Sequence, residues 1–320
     1  MFKIRTLHIS DFLKLKEYLK EDSNLSSISS STTNKIACIL QSCIPINLRF
    51  VPSIHIAVEG KNILGFVSLK CLSKSNNCWQ IEEVFVLDQE RNKGVGEELL
   101  RYVLSVYGSE GIEHFLAEVD SQNIPAISLF HECGFRRYAK VAFYEKELTL
   151  DKLESKSFLD KDFILRAQIK NDMNDLEKLE LSTIPSDLRP ALGRSKDFFK
   201  NIKDSVVMID KSRNLIVGWS HINKLSTDNY LIELKLSPGW THLYEGFLNT
   251  IIYDYITCEV NKIKLTVKAV DYNTELTQTL AQSGFVQTET KELLVRTIWL
   301  KVKERKKKTS PFALPRTAPT

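Results

Sequence analysis

The stretch that most restricts how this chain can fold runs from Trp79 to Val106. Up to Leu87 it is rich in β-branched and aromatic residues, a composition typical of a β-strand. From Leu99 onward, leucine and valine recur at the spacing of an amphipathic helix. Between them, residues 91–96 read Arg-Asn-Lys-Gly-Val-Gly. The pattern therefore predicts a strand, a glycine-containing loop and a helix in succession.

This loop has the properties of an anion-binding site. Gly94 and Gly96 let the backbone approach a ligand closely, and the first amides of the following helix have no partner within the helix. The helix dipole adds about half a positive charge, and the Arg91 and Lys93 side chains are also positive. A phosphate or pyrophosphate is the ligand that such a loop favours. Glycine pairs also occur in structural turns, so the loop alone leaves that alternative open.

Two motifs together resemble the GNAT superfamily of acyl-CoA N-acyltransferases. The first is R-x-x-G-x-G, Arg91 to Gly96 here, placed between a strand and an amphipathic helix. The second begins at Asn123, where NIPAISLFHECGF is similar to the family pattern N-x-x-A-x-x-L-Y-x-x-x-G-F. The resemblance covers residues 1–148 and departs from the family at Phe130, where the family usually has tyrosine.

The resemblance implies a mixed α/β sheet with helices on both faces, and the other segments fit this fold. A hairpin at 53–72 precedes the strand of the first motif. A strand at Ile112–Val119, a helix at Ile124–Cys133 and one or two strands within Phe135–Leu148 follow the first helix. This order excludes a plain Rossmann domain, in which strands and helices alternate strictly.

The second half of the sequence repeats the first. FILRAQIKNDMNDLEKLEL is similar to FKIRTLHISDFLKLKEYL. NTELTQTLAQSGF follows NIPAISLFHECGF by 150 residues, with Asn, Gly and Phe in register. Two pairs of similar segments in the same order indicate an internal duplication. The expected fold class is therefore α/β, with two tandem acyl-CoA N-acyltransferase-like domains.

We predict an N-acetyltransferase domain at 1–149, a linker at 150–162, a degenerate second domain at 163–302 and a basic, proline-containing disordered tail at 303–320. The second domain is degenerate because Trp240–Glu245 corresponds to the anion loop, lacks both glycines and adds a carboxylate. We expect this domain to fold, but not to bind CoA in the usual way. Its expected role is structural or substrate-shaping.

The resemblance implies that acetyl-CoA is held as a co-substrate by a splayed strand and the anion loop, and we expect no metal. The expected binding residues are Val84, Phe85, Val86, Arg91, Asn92, Lys93, Gly94, Val95, Gly96 and Asn123. The valines also fit as ordinary core residues, which is compatible with binding because their backbone would pair with the ligand. Asn123 also fits as a helix cap.

The candidate general base is a glutamate in the same strand. Glu82 and Glu83 are adjacent, so in a regular strand they point to opposite faces and only one faces the cleft. Family members with this glutamate carry it four residues before the valine that Val86 matches, which selects Glu82. A carboxylate in a partly dry cleft has a raised pKa and can accept the proton of an amine. An exposed surface glutamate is the alternative.

The general acid is not identified by the sequence. Phe130 cannot donate a proton, so the usual tyrosine role is vacant. Tyr138, Tyr144, His131 and water stay open as proton donors. The expected function is N-acetyl transfer from acetyl-CoA to a primary amine on a small molecule or a protein. The alternative is a non-catalytic acyl-CoA-binding or scaffolding protein, and a longer acyl donor and the oligomeric state also stay open.

Charge and composition limit the other possible functions. The chain of 320 residues has a net charge of +4, but residues 301–320 carry +6 and the rest carries −2. A broad nucleic-acid-binding face is therefore not expected, apart from possible contacts by the basic tail. No uncharged apolar stretch of about eighteen residues exists, so we expect no membrane span and a cytosolic protein. The six cysteines show no metal-ligand spacing.

Overall fold

The computed structural model of the chain describes residues 2–8, 11, 53–73, 78–149, 158–200, 202–256 and 262–298. We call the described residues up to 149 the first half and those from 158 the second half. Within them the strands, in chain order, are β1 Lys3–Thr6, β2 Ser53–Glu59, β3 Asn62–Ser73, β4 Cys78–Val86, β5 His114–Asp120, β6 Arg136–Thr149, β7 Phe163–Ala167, β8 Ser205–Asp210, β9 Leu215–Lys224, β10 Asn229–Leu236, β11 Lys262–Val270 and β12 Val286–Thr297.

Helices cover both halves of this sheet. In chain order the described α-helices are α1 Val95–Ser109, α2 Ile124–Glu132, α3 Met173–Thr183, α4 Arg189–Leu192, α5 Lys196–Lys200, α6 Tyr244–Asp254 and α7 Thr274–Gln282. The apolar stripe predicted for α1 is its buried face, where Leu99, Leu100 and Val103 have no exposed surface. Complete burial of each of these side chains contributes about 1.5–3 kcal/mol. The predicted mixed α/β fold is confirmed.

Strands of the two halves are interleaved at the centre of the sheet. The order is β1-β2-β3-β4-β5-β12-β6-β11-β10-β9-β8-β7. β12 pairs antiparallel with β5 and β6, and β6 pairs antiparallel with β11. The pairs β4–β5 and β10–β11 are parallel, whereas the other neighbours are antiparallel. The two halves therefore exchange their last strands.

The exchanged strand β12 contributes to the core of the first half. Leu294 is fully buried in the apolar cluster that also contains Leu99 and Phe115. On the opposite face, Leu293 and Val295 pack with Leu116. Because a β12 side chain completes each layer, the first half does not bury its central strands by itself.

The predicted duplication is visible in equivalent side-chain contacts. Arg5 makes a bidentate ion pair with Asp11, with distances of 2.6 and 3.0 Å. In the second half Arg166 pairs with Asp172 in the same way, with two distances of 2.7 Å. Each aspartate also accepts a backbone N–H three residues before it. The tandem arrangement is confirmed at the level of individual contacts.

Two parts of the sequence prediction lie largely outside the described residues. Most of the predicted linker at 150–162 and all of the tail at 303–320 belong to the parts that the structure does not describe. The predicted domain boundaries stay predictions. The region Phe135–Leu148, for which one or two strands were open, forms the single strand β6.

Candidate functional site

The two parallel strands β4 and β5 separate toward their C-terminal ends. Their pairing stops where Ile81 lies opposite Ala117, although β4 continues to Val86 and β5 to Asp120. At the same point the pairing of β4 with β3 shifts by one residue, which leaves Glu82 as a β-bulge. A bulge bends its strand, and the result here is an open gap between β4 and β5.

Backbone amides of β4 face this gap. The N–H of Leu87 donates to the carbonyl of Leu64 in β3 over 2.9 Å. Amides along a strand alternate between its two sides, so the N–H groups of Val86 and Val84 point away from β3. The gap therefore offers two N–H donors to an extended ligand that lies beside β4.

A cavity of 680 Å³ adjoins the gap on the side of α1. The predicted binding residues that line it are Val84, Val86, Arg91, Asn92, Gly94, Val95, Gly96 and Asn123. The structure thus brings together residues from a strand, a loop and two helix starts that are up to forty positions apart in sequence. These positions share one concave surface, as a binding site requires.

The loop between β4 and α1 has the open backbone that its glycines predict. Gly94 has φ of +81°, and no atom lies within 4 Å of the position that a Cβ would take. It precedes α1 without any side-chain cap, so the first amides of the helix are free to meet an anion. At Gly96, a Cβ would come within 3.1 Å of Leu129 and 3.4 Å of Val86. Any larger residue would therefore crowd the junction of strand, loop and α2.

Charged side chains around the loop are paired with one another. Arg91 lies 2.7 Å from Asp88, and Lys93 lies 3.2 Å from Glu90. Both pairs are exposed, and exposed pairs contribute little to stability. The arginine can therefore leave Asp88 for a phosphate oxygen at small cost.

Two of the predicted binding residues do not line the cavity. Phe85 stacks on Phe66, with ring centroids 5.4 Å apart, on the opposite face of the sheet. Lys93 is exposed beside Glu90. The alternation of side chains along β4 accounts for Phe85, because its neighbours Val84 and Val86 face the cavity. These two residues could contribute to binding only through their backbone or from the rim.

Helix α2 supplies wall residues that the sequence analysis did not select. They are Pro125, Ala126, Ser128, Leu129 and Glu132. Their spacing of three and four residues is that of one helix face, and Asn123 starts this helix by accepting the N–H of Ala126 over 3.1 Å. The signal was therefore present in the sequence, because a helix that begins at a site residue presents one face to the site.

The two glutamates of β4 share one face of the sheet. The expectation that they point to opposite faces is wrong, because the bulge at Glu82 adds a residue and breaks the alternation. Glu82 lies 2.7 Å from Lys70 of β3, and Glu83 is paired in register with Ser68 of the same strand. Residues 68 and 70 lie on the same face of β3, so both carboxylates lie on the face of the sheet that points away from α1.

Of the two carboxylates, Glu83 has the perturbed environment. Burial, with the nearby charge of Glu82 as a second cause, raises the pKa of Glu83 to about 7. Its Oε2 atom is buried and has no hydrogen-bond partner among the described residues. By contrast, Glu82 has an ion-pair partner in Lys70. A half-buried carboxyl with a pKa near neutrality can accept and release a proton at physiological pH.

Phe130 belongs to the core and not to the cavity. Only 5% of its surface is exposed, and it packs edge-on against Phe135 with centroids 5.0 Å apart. Of the other acid candidates, Tyr138 is exposed and His131 bonds to the carbonyl of Phe135. No tyrosine is present among the described residues that line the cavity.

In the second half, a tyrosine fills the position that corresponds to the cavity. Tyr244 is the first residue of α6 and is 1% exposed. Its hydroxyl accepts the N–H of Leu236 over 3.2 Å and the side-chain amide of Asn273 over 2.8 Å. These residues follow Val86 and Asn123 of the first half by 150 positions each. In the first half these two positions face a cavity. In the second half the corresponding groups of Leu236 and Asn273 are hydrogen-bonded to the Tyr244 hydroxyl instead.

The comparisons with known proteins agree with this geometry. Residues 29–135 match the model of the acetyltransferase (GNAT) family. The matched residues lie in the first half. The whole chain also has the fold of solved GNAT proteins. One is a GCN5-related N-acetyltransferase from Sphaerobacter thermophilus, with 12% identity, 92% of this chain and 95% of that chain covered, and a TM-score of 0.60.

Two further solved structures resemble this chain over most of its length. A tandem GNAT protein from the clavulanic acid biosynthesis pathway has 12% identity, covers 93% of this chain and 98% of its own, and has a TM-score of 0.56. A putative acetyltransferase from Pyrococcus horikoshii has 12% identity, 93% and 90% coverage, and a TM-score of 0.56. At this identity the likeness establishes the fold alone. No curated protein matches the chain.

The described parts of the chain form neither a metal site nor a membrane-spanning helix. No group of three or more histidine, cysteine, aspartate or glutamate side chains is arranged to hold a metal ion there. No described helix has the length and apolar character needed to cross a membrane.

Proposed function

We propose that the first half transfers an acetyl group from acetyl-CoA to a primary amine. The observation that supports this most directly is the gap beside β4, with two backbone N–H groups facing it and a glycine loop at its end. An extended amide chain that ends in a pyrophosphate would match both features. The match of residues 29–135 to the GNAT family model supports an acyltransferase, and acetyl as the acyl group is our proposal.

The residues of the cavity divide the binding of the donor among them. The amides of Val84 and Val86 would pair with the amide groups of the pantetheine arm, as an added strand would. Loop amides after Gly94 and the guanidinium of Arg91 would hold the pyrophosphate. A free N–H near Val86 would polarise the thioester carbonyl and stabilise the oxyanion that forms on it.

We assign the deprotonation of the amine to the carboxylate pair of β4. The resemblance implies Glu82, whereas the environment favours Glu83, whose pKa is raised to about 7. A base is most effective when its pKa lies near the working pH. We therefore propose Glu83 as the proton acceptor, and Glu82, held by Lys70, as a charge that adds to the effect of burial on the pKa of Glu83.

One observation favours a second function. With Phe130 in the core, the cavity has no tyrosine to protonate the departing thiolate, so a protein that binds acyl-CoA without turnover is a coherent alternative. Under our proposal water protonates the thiolate. Binding of acetyl-CoA without any product on a broad amine panel would favour the alternative.

The deciding experiment measures binding and turnover in the full chain. Acetyl-CoA binding is followed by calorimetry, and CoA release is followed by a thiol reagent with a panel of small amines and peptides. Gly94→Glu places a side chain where φ is +81° and adds a carboxylate to the anion site. Left-handed backbone costs a non-glycine residue about 1–2 kcal/mol, and charge repulsion adds to it, so binding should weaken at least roughly tenfold.

Matched variants separate the causes. Gly94→Ala carries the backbone strain without the charge and should lose less affinity than Gly94→Glu. Gly239→Glu adds the same carboxylate to the second half, at a position where a Cβ meets nothing within 4 Å, and should bind normally. If acetyl-CoA does not bind to the unmodified protein, or if all three variants bind equally, the proposal is wrong.

Several expectations from the sequence stay predictions. The acceptor is a primary amine on a small molecule or a protein, and a cytosolic location is part of the proposal. Contacts with nucleic acid are expected at most from the basic tail at 303–320.

A further inference from the structure

A second cavity lies between the two halves. Its volume is 230 Å³, and it is on the face of the sheet opposite α1. The first half contributes Gln80 of β4 and Glu118 of β5 to its wall, and the second half contributes Glu233 and Lys235 of β10 and Arg194, which follows α4. None of these residues lines the 680 Å³ cavity beside α1, which we call the coenzyme cavity. The space is suited to a small molecule and is separate from the site described above.

The cavity occupies the position that corresponds to the carboxylate face of the first half. Glu233 follows Glu83 by 150 residues. Each glutamate lies on the face of the sheet that points away from the helix following its strand. The coenzyme position of the second half is filled by Tyr244, whereas this neighbouring space is open. The second half has therefore lost one of its two duplicated sites and kept a cavity at the other.

The charges around the cavity balance. Lys235 pairs with Glu180, Arg194 lies 2.8 Å from Glu233, and Lys268 lies 2.7 Å from Glu118. Three acids thus face three bases in a largely buried setting. A ligand with net charge would add an unpaired charge to this environment, which is costly. A molecule whose own charges cancel would not.

Two polar groups at the wall can bind a ligand. One is Oε1 of Glu180, which is buried, has no hydrogen-bond partner among the described residues and lies 3.8 Å from Nε of Arg194. The side chain of Glu180 is 1% exposed, and its other oxygen is bound by Lys235. The other is the hydroxyl of Tyr272, which lines the same cavity. Burial raises the pKa of Tyr272 to about 12, so this hydroxyl keeps its proton and can donate a hydrogen bond. The wall thus offers one anionic acceptor and one donor.

We propose that this cavity binds a small zwitterion, a free α-amino acid, and that the second half serves as its binding domain. Glu180 accepts hydrogen bonds from the ammonium group, and Tyr272 donates to the carboxylate. Because Gln80 and Glu118 belong to β4 and β5, the bound molecule contacts the strands that form the coenzyme gap. The proposal concerns binding and does not depend on acetyl transfer.

Calorimetry on the full chain at neutral pH tests the proposal with single probes. Serine, which has no net charge, should bind, whereas lysine and aspartate, which carry one net charge of either sign, should bind at least tenfold more weakly. Ethanolamine and acetate, which carry only one of the two groups, should also bind weakly. No heat with serine and other neutral amino acids, or equal binding of all probes, would overturn the inference.

Variants locate the binding. Tyr272→Phe removes one hydroxyl without changing the charge balance and should weaken serine binding roughly tenfold to hundredfold, the effect of one hydrogen bond to a charged group. Glu180→Gln should abolish binding, and if it fails to fold, Tyr272→Phe still decides. Gly94→Glu should leave serine binding unchanged, which distinguishes this site from the coenzyme site. Normal affinity in Tyr272→Phe would count against the proposal.

Discussion

Replacing Glu83 by glutamine should stabilise the protein at alkaline pH and inactivate it. Burial first, and then the charge of Glu82, raises the pKa of Glu83 from 4.5 to about 7. Folding therefore opposes ionisation of this carboxyl, and the ionised form destabilises the native state. The full shift corresponds to about 3 kcal/mol, and solvent screening of a half-buried group reduces it to about 1–2 kcal/mol.

The sign of the pH dependence follows from proton binding. Between pH 4.5 and about 7 the folded protein holds a proton on Glu83 that the unfolded chain has already lost. Stability therefore falls as pH rises through this window. Urea denaturation at a series of pH values should show a decrease of about 1–2 kcal/mol that is missing in Glu83→Gln. At high pH the variant should be the more stable protein by that amount.

Activity should depend on pH in the opposite direction. The wild-type rate of CoA release should rise with pH through about 7, as Glu83 becomes able to accept a proton. Loss of a general base lowers the rate by about 10²–10⁴-fold, and Glu83→Gln should show this loss together with loss of the pH limb. Glu82→Gln is the matched control. It removes the neighbouring negative charge, so it should keep activity and shift the limb to lower pH.

Two results would refute this reasoning. If the rise of the rate with pH persists in Glu83→Gln and disappears in Glu82→Gln, the proton acceptor is Glu82, the residue that the family resemblance implies. The choice of Glu83 from its burial would then be wrong. If the stability of Glu83→Gln depends on pH as in the wild type, the carboxyl is not destabilised by burial at all.

Three further predictions concern the two halves. Tyr244→Phe leaves the N–H groups of Leu236 and Asn273 without their acceptor, so the free energy of unfolding, measured with urea, should fall by about 1–3 kcal/mol. The affinity for acetyl-CoA should stay the same, and unchanged stability would contradict the role assigned to Tyr244. Burial opposes ionisation of Asp172, but the hydrogen bonds from Arg166 and from the Ile169 N–H, together with the charge of Arg166, outweigh burial and lower the pKa of Asp172. This stabilisation is present at neutral pH and is lost as pH falls through the acid range. Asp172→Asn should therefore unfold about 1–3 kcal/mol more easily at pH 7 and should lack the acid-dependent loss, and an unaltered acid transition would contradict this role. A chain that ends at residue 149 lacks β12, so it should form aggregates on a sizing column, whereas a monodisperse, folded fragment would show that the exchanged strand is dispensable.

Local pattern was sufficient to predict the elements around the site. The strand up to Val86, the helix from Val95 and the Asn123 cap each depend on residues close in sequence, and the structure places all three as expected. The glycine loop could be recognised for the same reason. Its function depends on backbone that must be open, and glycine marks that requirement directly.

Contacts between distant residues could not be predicted in this way. The bulge at Glu82 depends on how β4 pairs with β3, and nothing in the sequence of β4 marks the extra residue. The position of β12 between β5 and β6 is likewise a choice among possible partners 150 positions apart. The role of Tyr244 required knowing that its hydroxyl meets Leu236 and Asn273, which only the fold brings together.

The strand exchange explains why a half without a coenzyme loop still matters for the half that has one. β5 borders the gap on one side and is held on its other side by β12, through seven registered residue pairs from Lys291 to Thr297. The width of the gap therefore depends on a strand from the second half. The amino acid cavity touches the same β5 at Glu118, which Lys268 holds from the other side of the exchanged strands. A structural change in the second half can therefore move β5, and with it one side of the gap, through the β12–β5 pairing and the Lys268–Glu118 ion pair.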